Sequence, residues 1–158
     1  MTFFDFILTD AIKTNLKVKT RDDAIHESLL ALAKAGGFED SAVDDLFNAI
    51  LRREQLGSTG VGNGVAVPHA KHGSVERLVG SIVTVENGVD FESLDNEPVH
   101  LIITLVAPLD RPGEYLRTLD YVTSRLRNDE LVHLLKQVND SSEVVELLRQ
   151  SDYETSVD

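Results

Sequence analysis

The chain of 158 residues contains no cysteine. Disulfide bonds, thiolate zinc sites and thiol redox chemistry are therefore all excluded. Any reactive centre must use imidazole, carboxylate, hydroxyl or amine groups instead.

Long apolar runs and basic clusters are also missing. No stretch approaches the roughly 20 apolar residues that a membrane helix needs, and the first ten residues lack the basic start of a signal peptide. The protein is therefore expected to be cytoplasmic, without membrane insertion. Acidic residues number 27 against 15 basic ones, and the formal net charge of −12 opposes binding to nucleic acid and chiefly favours solubility.

Length and composition fit one globular domain, which we assign to residues 1–150, followed by a polar, acidic and frayed tail at 151–158. The run Val99–Ala107 is almost entirely apolar, and it is predicted to be a central strand buried on both faces. Such a strand requires helices on both sides of the sheet. The expected fold is an α/β single domain, a three-layer α/β/α sandwich with a mixed β-sheet.

The remaining elements follow from the spacing of apolar residues. Helical spacing predicts helices over 3–8, 22–35, 41–53, 113–126, 129–138 and 140–150. Alternation and short apolar runs predict strands over 15–19, 65–69 and 80–85, with a turn at 86–88.

Residues 57–64 form a glycine-rich stretch that holds four of the chain's ten glycines. The backbone there can adopt positive φ and direct several N–H groups to one point, an arrangement that suits an anion. Three apolar residues follow, and Pro68 then predicts that the strand ends at His69.

His69 has the features that phosphoryl transfer through nitrogen requires. An imidazole has an ordinary pKa near 6.5, so much of it is a neutral nucleophile at neutral pH. The Ser58 and Thr59 hydroxyls, the loop N–H groups and Arg53 can then hold phosphoryl oxygens. The same pattern also fits a glycine-rich turn that leads into a surface strand, with His69 merely polar and exposed.

The residues from Arg53 to His69 read Arg-Glu-Gln-Leu-Gly-Ser-Thr-Gly-Val-Gly-Asn-Gly-Val-Ala-Val-Pro-His. They resemble the phosphoryl-acceptor signature of enzyme IIA domains of the bacterial phosphotransferase system (PTS). The resemblance is to the fructose/mannitol type and most closely to its nitrogen-regulatory branch. Gly88-Val89-Asp90-Phe91 and the run from Asp95 to Leu101 extend it, so that it covers roughly residues 3–150.

The resemblance implies a role for each residue of the signature. His69 would accept the phosphoryl group at Nε2, and Arg53 would neutralise its charge. Arg53 also suits the end of a helix on electrostatic grounds alone. The loop residues implied as phosphoryl ligands are Ser58, Thr59, Gly60, Gly62 and Asn63.

Tyr115 is the main departure from the resembled family. That family has a second histidine here, the first residue of a His-Leu-x-x-Leu pattern, which sits beside the acceptor. This chain has Tyr-Leu-Arg-Thr-Leu instead. A tyrosine hydroxyl can still donate one hydrogen bond at the site, but it does not become a cation at physiological pH. Tyr115 also fits an amphipathic residue with a packed ring and a hydrated hydroxyl.

The resemblance implies that the phosphoryl donor is a phosphohistidine on the histidine phosphocarrier protein (HPr) or its nitrogen-branch counterpart, with no metal or organic cofactor. Three functions stay open. The protein is a regulator whose partners change when His69 is phosphorylated, a sugar-transport component that passes the group to an enzyme IIB domain, or a binding module that is not phosphorylated. The sequence includes no IIB or membrane domain, which favours regulation.

Other chemistries have weaker support. His69 and His72 have a spacing that metal sites use, but no third ligand is evident. Lys71 does not belong to a Walker phosphate loop, because the glycines are not followed by Gly-Lys-Ser/Thr. No serine stands in the Gly-x-Ser-x-Gly pattern of a hydrolase.

Overall fold

The computed structural model describes the backbone of residues 1–157 and the side chains of residues 1–154. The strands are β1 (Ile7–Leu16), β2 (Gly60–Gly62), β3 (Val65–Ala66), β4 (His69–Lys71), β5 (Val79–Val89) and β6 (Val99–Ala107). The helices are α1 (Arg21–Lys34), α2 (Val43–Leu56), α3 (Pro112–Arg125), α4 (Asp129–Lys136) and α5 (Ser141–Val157). Short 3₁₀ helices span Phe3–Asp5 and Asp40–Ala42.

The strands form one mixed sheet in the order β1-β5-β6-β3-β2, and β4 continues the edge of β3 along β6. β5 and β6 are antiparallel, β1 runs parallel to β5, and both β3 and β4 run parallel to β6. Within β6, every residue except His100 is buried. The prediction of a central strand over Val99–Ala107 is therefore confirmed.

Helices cover both faces of the sheet. One core lies between the sheet and the helices α1 and α2, and a second core lies between the sheet and the helices α3, α4 and α5. The apolar stripe of each helix faces its core because residues three and four apart share one side of a helix. The predicted three-layer α/β/α fold of a single domain is confirmed.

Local sequence sets where the helices begin. The Thr20 side chain accepts a hydrogen bond from the Asp23 N–H at 3.1 Å and caps α1. Asn128 caps α4 in the same way, by accepting from the Leu131 N–H at 3.1 Å. These caps satisfy N–H groups that have no partner in the first turn of a helix.

The helix predicted over 3–8 is wrong, because β1 already begins at Ile7. Ile7 belongs to one core, whereas Leu8 packs against the other. A strand that buries apolar residues on both faces can reproduce helical spacing in the sequence. The strand predicted over 15–19 also lies too late, since β1 ends at Leu16.

The turn predicted at 86–88 is also wrong, because β5 continues to Val89. Pairing with β6 is interrupted after Thr84 and resumes where Val89 lies opposite Val99. Gly88 has a φ of +73°. The turn-forming residues therefore produce a bulge within a strand rather than its end.

The helix end predicted at Gln150 is wrong as well, because α5 continues past it. The carboxylate of Asp152 accepts a hydrogen bond from the Phe3 N–H at 3.0 Å and another from the Tyr121 hydroxyl. These partners are distant in sequence, so local composition gave no sign of them. Asp158, the last residue of the predicted tail, lies outside the described residues.

None of the described helices combines the length and the apolar character needed to cross a membrane.

Gly80 lies opposite Leu105, the residue of β6 that also pairs with His69 on the other side. A Cβ at Gly80 would lie 2.7 Å from Leu105 Cδ2 and 3.0 Å from Ile7 Cδ1. Because of this overpacking, we expect the free energy of unfolding of Gly80→Ala to be about 1–3 kcal/mol lower than that of the wild type. Urea denaturation measures this difference. Gly73→Ala is the control, because its Cβ meets only Leu109 at 3.6 Å. Equal midpoints for the two variants would contradict this account of β5 and β6.

Candidate functional site

His69 is the first residue of β4, directly after Pro68 separates β4 from β3. The predicted strand end at His69 is therefore wrong: the strand breaks before it, and His69 begins a new one. Pairing with β6 still continues across the break, because the Leu105 N–H donates to the Pro68 carbonyl at 2.9 Å. Strand β6 thus holds the backbone of Pro68 as well as that of His69.

The imidazole of His69 is oriented by its own strand. Its Nδ1 atom lies 2.7 Å from the carbonyl oxygen of Val67. A carbonyl oxygen only accepts, so Nδ1 must carry the proton and donate it. The lone pair of Nε2 is then available for a bond to an electrophile.

Burial lowers the pKa of His69 below the ordinary 6.5. The Arg53 guanidinium lowers it further, while the bond to Val67 and the Glu54 carboxylate act in the opposite direction. The ring is therefore neutral at pH 7. Below pH 6.5 the unfolded chain binds this proton more readily, so the stability contributed by His69 is present above pH 6.5 and is lost as the pH falls through the lowered pKa.

Arg53 lies in the last turn of α2, where one guanidinium nitrogen donates to the Gly57 carbonyl at 2.9 Å. It therefore has the helix-end role that its position suggested. It also acts electrostatically on His69 and on Tyr115, where its charge opposes the rise in the pKa of the hydroxyl caused by burial. Four of its five N–H groups are not used by the bond to Gly57.

Tyr115 stands in the first turns of α3 and is 9% exposed. Its ring centroid lies 5.9 Å from that of His69, so the structure does bring the two predicted residues together. Burial raises the pKa of Tyr115 to about 12, and the hydroxyl is therefore neutral at physiological pH. Tyr115 contributes a ring and a neutral O–H beside the imidazole.

The hydroxyls of Ser58 and Thr59 are used inside the protein. Ser58 Oγ donates to the Phe91 carbonyl and accepts from the Gly60 N–H at 3.0 Å. Thr59 is 5% exposed, its hydroxyl donates to the Glu54 carboxylate, and its N–H reaches the same carboxylate at 3.2 Å. A hydroxyl has one proton to donate. Their role as phosphoryl ligands therefore stays a prediction, and it requires these bonds to rearrange.

Gly62 and Asn63 lie at the tip of the hairpin formed by β2 and β3. Asn63 and Gly64 connect β2 to β3 with φ values of +56° and +76°, as a type I′ turn requires. The Asn63 side chain donates to Asp129 on α4 at 3.1 Å, and Lys136 on α4 donates to the Asn63 carbonyl at 2.6 Å. The tip is thereby fixed to α4.

This hairpin tip lies far from His69. Val65 pairs with Leu101 and His69 pairs with Leu105, so the two are separated by four residues along β6, or about 13 Å. The tip lies beyond Val65. The phosphoryl-ligand role predicted for Gly62 and Asn63 has no support in this geometry.

Two residues that the sequence analysis left without a role contribute to the site. Glu54 is 5% exposed and holds the loop through Thr59. The Lys71 ammonium lies 5.6 Å from the centroid of the Tyr115 ring. The sequence could have indicated Lys71 through its position two residues after His69 in a strand, because side chains two residues apart in a strand lie on the same face. Glu54 stood within the signature itself.

Within the described part of the chain, no group of three histidine, aspartate or glutamate side chains could hold a metal ion. His72, which has a spacing from His69 that metal sites use, forms a local hydrogen bond instead: its Nδ1 atom accepts from the Ser74 N–H at 3.1 Å.

Comparison with known proteins points to one family. The family described as "Phosphoenolpyruvate-dependent sugar phosphotransferase system, EIIA 2" matches residues 5–151. A nitrogen regulatory protein of Bradyrhizobium diazoefficiens is 32% identical over 94% of this chain and 95% of that protein. The fructose-specific EIIABC component of Bacillus subtilis is 31% identical over 96% of this chain, which spans only 24% of that longer protein.

The fold is shared with solved structures of the same kind. The nitrogen regulatory protein IIA-Ntr of Neisseria meningitidis has a TM-score of 0.82 and 29% sequence identity, and the match covers 91% of this chain and 97% of that one. IIA mannitol of Escherichia coli has a TM-score of 0.74 and 25% identity over 88% of this chain and 96% of that one.

NMR titration of the imidazole rings tests the electrostatics of this site. The His69 midpoint is expected below 6.5, because burial disfavours the charged ring. Arg53→Gln is expected to raise the His69 midpoint, but not fully to 6.5, because the burial that lowers it persists after the cation is removed. Asn63→Gly is the control and should leave the His69 midpoint unchanged. Glycine tolerates the positive φ at this position, and the side-chain amide that is lost contacts α4 rather than His69. A His69 midpoint above 6.5 in the wild type would contradict the burial argument.

Proposed function

Because the chain belongs to the EIIA 2 family of the phosphoenolpyruvate-dependent sugar phosphotransferase system, we propose that it is a phosphocarrier protein that accepts a phosphoryl group on His69. One observation carries the proposal: the 2.7 Å hydrogen bond from Nδ1 to the Val67 carbonyl leaves Nε2 as the nucleophile. Burial lowers the pKa of His69, so the ring is neutral where the reaction takes place. The proposal includes the cytoplasmic location inferred from the sequence.

The transfer is an in-line displacement at phosphorus. The lone pair of Nε2 forms a bond to phosphorus as the bond between phosphorus and the donor nitrogen breaks, and that electron pair stays on the donor. The Nδ1 proton remains in its hydrogen bond to Val67. The ring needs no base to remove a proton before it reacts, because Nε2 carries none.

The phosphoryl group adds negative charge that the site must stabilise. Arg53 is a cation at the end of α2, close enough to His69 to lower the pKa of its ring. Tyr115 can donate its hydroxyl proton to a phosphoryl oxygen, since burial keeps that proton on the oxygen. We assign Arg53 to charge neutralisation and Tyr115 to hydrogen bonding. The donor is a phosphohistidine on an HPr-like carrier protein.

We propose that the protein is a regulator that binds different partners in its phosphorylated and unphosphorylated forms. The similarity to nitrogen regulatory proteins supports it, because one such relative matches over nearly its whole length. Phosphorylation of His69 would change the local charge by nearly two units and could thereby change which protein binds there. The downstream partner is then a regulatory target protein.

Sugar transport is the second candidate, because the fructose-specific EIIABC component of Bacillus subtilis also matches nearly the whole chain. In that case His69 passes its phosphoryl group to an enzyme IIB domain. Mixing the phosphorylated protein with a fructose-type IIB domain separates the two roles. Rapid loss of the label to IIB would favour transport, whereas retention of the label would favour regulation.

Incubation with phosphoenolpyruvate, enzyme I and the HPr-like carrier tests the central proposal. Intact-mass measurement is expected to show one added phosphoryl group that is lost in acid, and 31P NMR is expected to place it on Nε2. His69→Ala should gain no phosphoryl group. Labelling that persists in His69→Ala would overturn the assignment, and a wild type that takes no label from any donor would indicate a binding module instead.

A further inference from the structure

Lys71 shares one face of β4 with His69. The two residues are separated by one position in a strand, so both side chains point to the same side, about 6.6 Å apart along the chain. Both also contact the same partner. The Tyr115 ring lies 5.9 Å from the His69 ring, between centroids, and 5.6 Å from the Lys71 ammonium. Tyr115 therefore lies close to both the imidazole and the ammonium.

The ammonium of Lys71 is available for an anion. Lys71 is exposed, and it forms no ion pair with any carboxylate among the described residues. The Glu54 carboxylate, which is close enough to influence His69, is already bound by the hydroxyl and N–H of Thr59. Lysine has three rotatable donors on a flexible stem, so its ammonium can follow an incoming oxygen.

The two cations approach His69 from different elements. Arg53 comes from α2, and one of its N–H groups is held by the Gly57 carbonyl at 2.9 Å. Lys71 comes from β4, on the side where α3 presents Tyr115. A phosphoryl group on Nε2 has three strongly accepting oxygens, so it can bind a second cation in addition to Arg53.

We propose that Lys71 is a further catalytic residue of the phosphoryl transfer, whose ammonium binds an oxygen of the phosphoryl group on His69, and that Tyr115 is a positioning residue whose ring holds that ammonium. The inference rests on the proposed function and adds residue roles to it. The bond changes are those of the transfer itself. Lys71 keeps its protons throughout and contributes only charge and hydrogen bonds.

A small phosphoryl donor separates this role from docking of a carrier protein. Phosphoramidate transfers its phosphoryl group to imidazole: its P–N bond breaks, ammonia leaves, and the Nε2–P bond forms. With this donor Lys71→Gln is expected to lower the rate of labelling about 10- to 100-fold, as the loss of a hydrogen bond to a charged group implies. Lys71→Arg, which keeps the charge, should stay within about threefold of the wild type.

Lys13→Gln is the matched control. Lys13 is an exposed lysine on β1, at the opposite edge of the sheet from β2. Its removal changes the net charge by the same amount but leaves the site untouched. The rate of labelling by phosphoramidate should equal that of the wild type.

Substitutions of Tyr115 test the positioning role. Tyr115→Phe keeps the ring that faces the ammonium, and Tyr115→Leu removes it. In the Lys71→Gln background, replacing Phe by Leu at position 115 should no longer change the rate, because no ammonium remains to be positioned. An equal Phe-to-Leu effect with and without Lys71 would show a merely structural ring and overturn this part of the proposal.

The outcomes separate the inference from the proposed function. Labelling of the wild type that is lost in His69→Ala, together with a wild-type rate in Lys71→Gln, would overturn the role of Lys71 alone. A Lys71→Gln defect with the carrier protein but not with phosphoramidate would assign Lys71 to docking and also overturn it. A wild type that no donor phosphorylates would overturn the proposed function and this inference with it.

Discussion

The hydrogen bond from Nδ1 of His69 to the Val67 carbonyl is the interaction on which the site depends. It forms because Pro68 interrupts the strand between the two residues and lets the side chain fold back on its own backbone. The sheet supplies the rigidity, since the Pro68 carbonyl and His69 are both held by β6 through Leu105. One interaction thereby fixes the tautomer, the ring direction and the free nitrogen together.

In the loop that follows α2, the polar side chains form hydrogen bonds within the protein. A buried carboxylate, Glu54, binds both polar groups of Thr59, and the Ser58 hydroxyl binds the Phe91 carbonyl. Burial of a charge is tolerated only where it is hydrogen-bonded, so these bonds are a condition of the fold. The Ser58 and Thr59 hydroxyls are consequently not free to bind an anion unless these bonds rearrange.

Sequence patterns predicted the fold because its core follows simple periodicities. The apolar run of β6 required a sheet covered on both faces, and the apolar stripes of α1 and α2 predicted one of the two helix layers. Contacts between distant segments were not accessible in this way. The Phe3 N–H binds Asp152 on the part of α5 beyond its predicted end, and the turn at Asn63 is fixed to α4 by Asp129. In the site, His69, Arg53 and Tyr115 do lie together, whereas the glycine pattern could not distinguish a hairpin from an anion loop.

Tyr115, which lies beside the imidazole of His69, influences how the charge of the site responds to pH. Burial raises the pKa of Tyr115 to about 12, so this residue stays neutral across the physiological range. His69, whose pKa is lowered by burial, therefore titrates beside a hydroxyl that stays uncharged over this range. Because burial lowers the pKa of His69 below the ordinary 6.5, the neutral ring predominates at neutral pH, and the neutral hydroxyl of Tyr115 beside it does not change as that ring titrates.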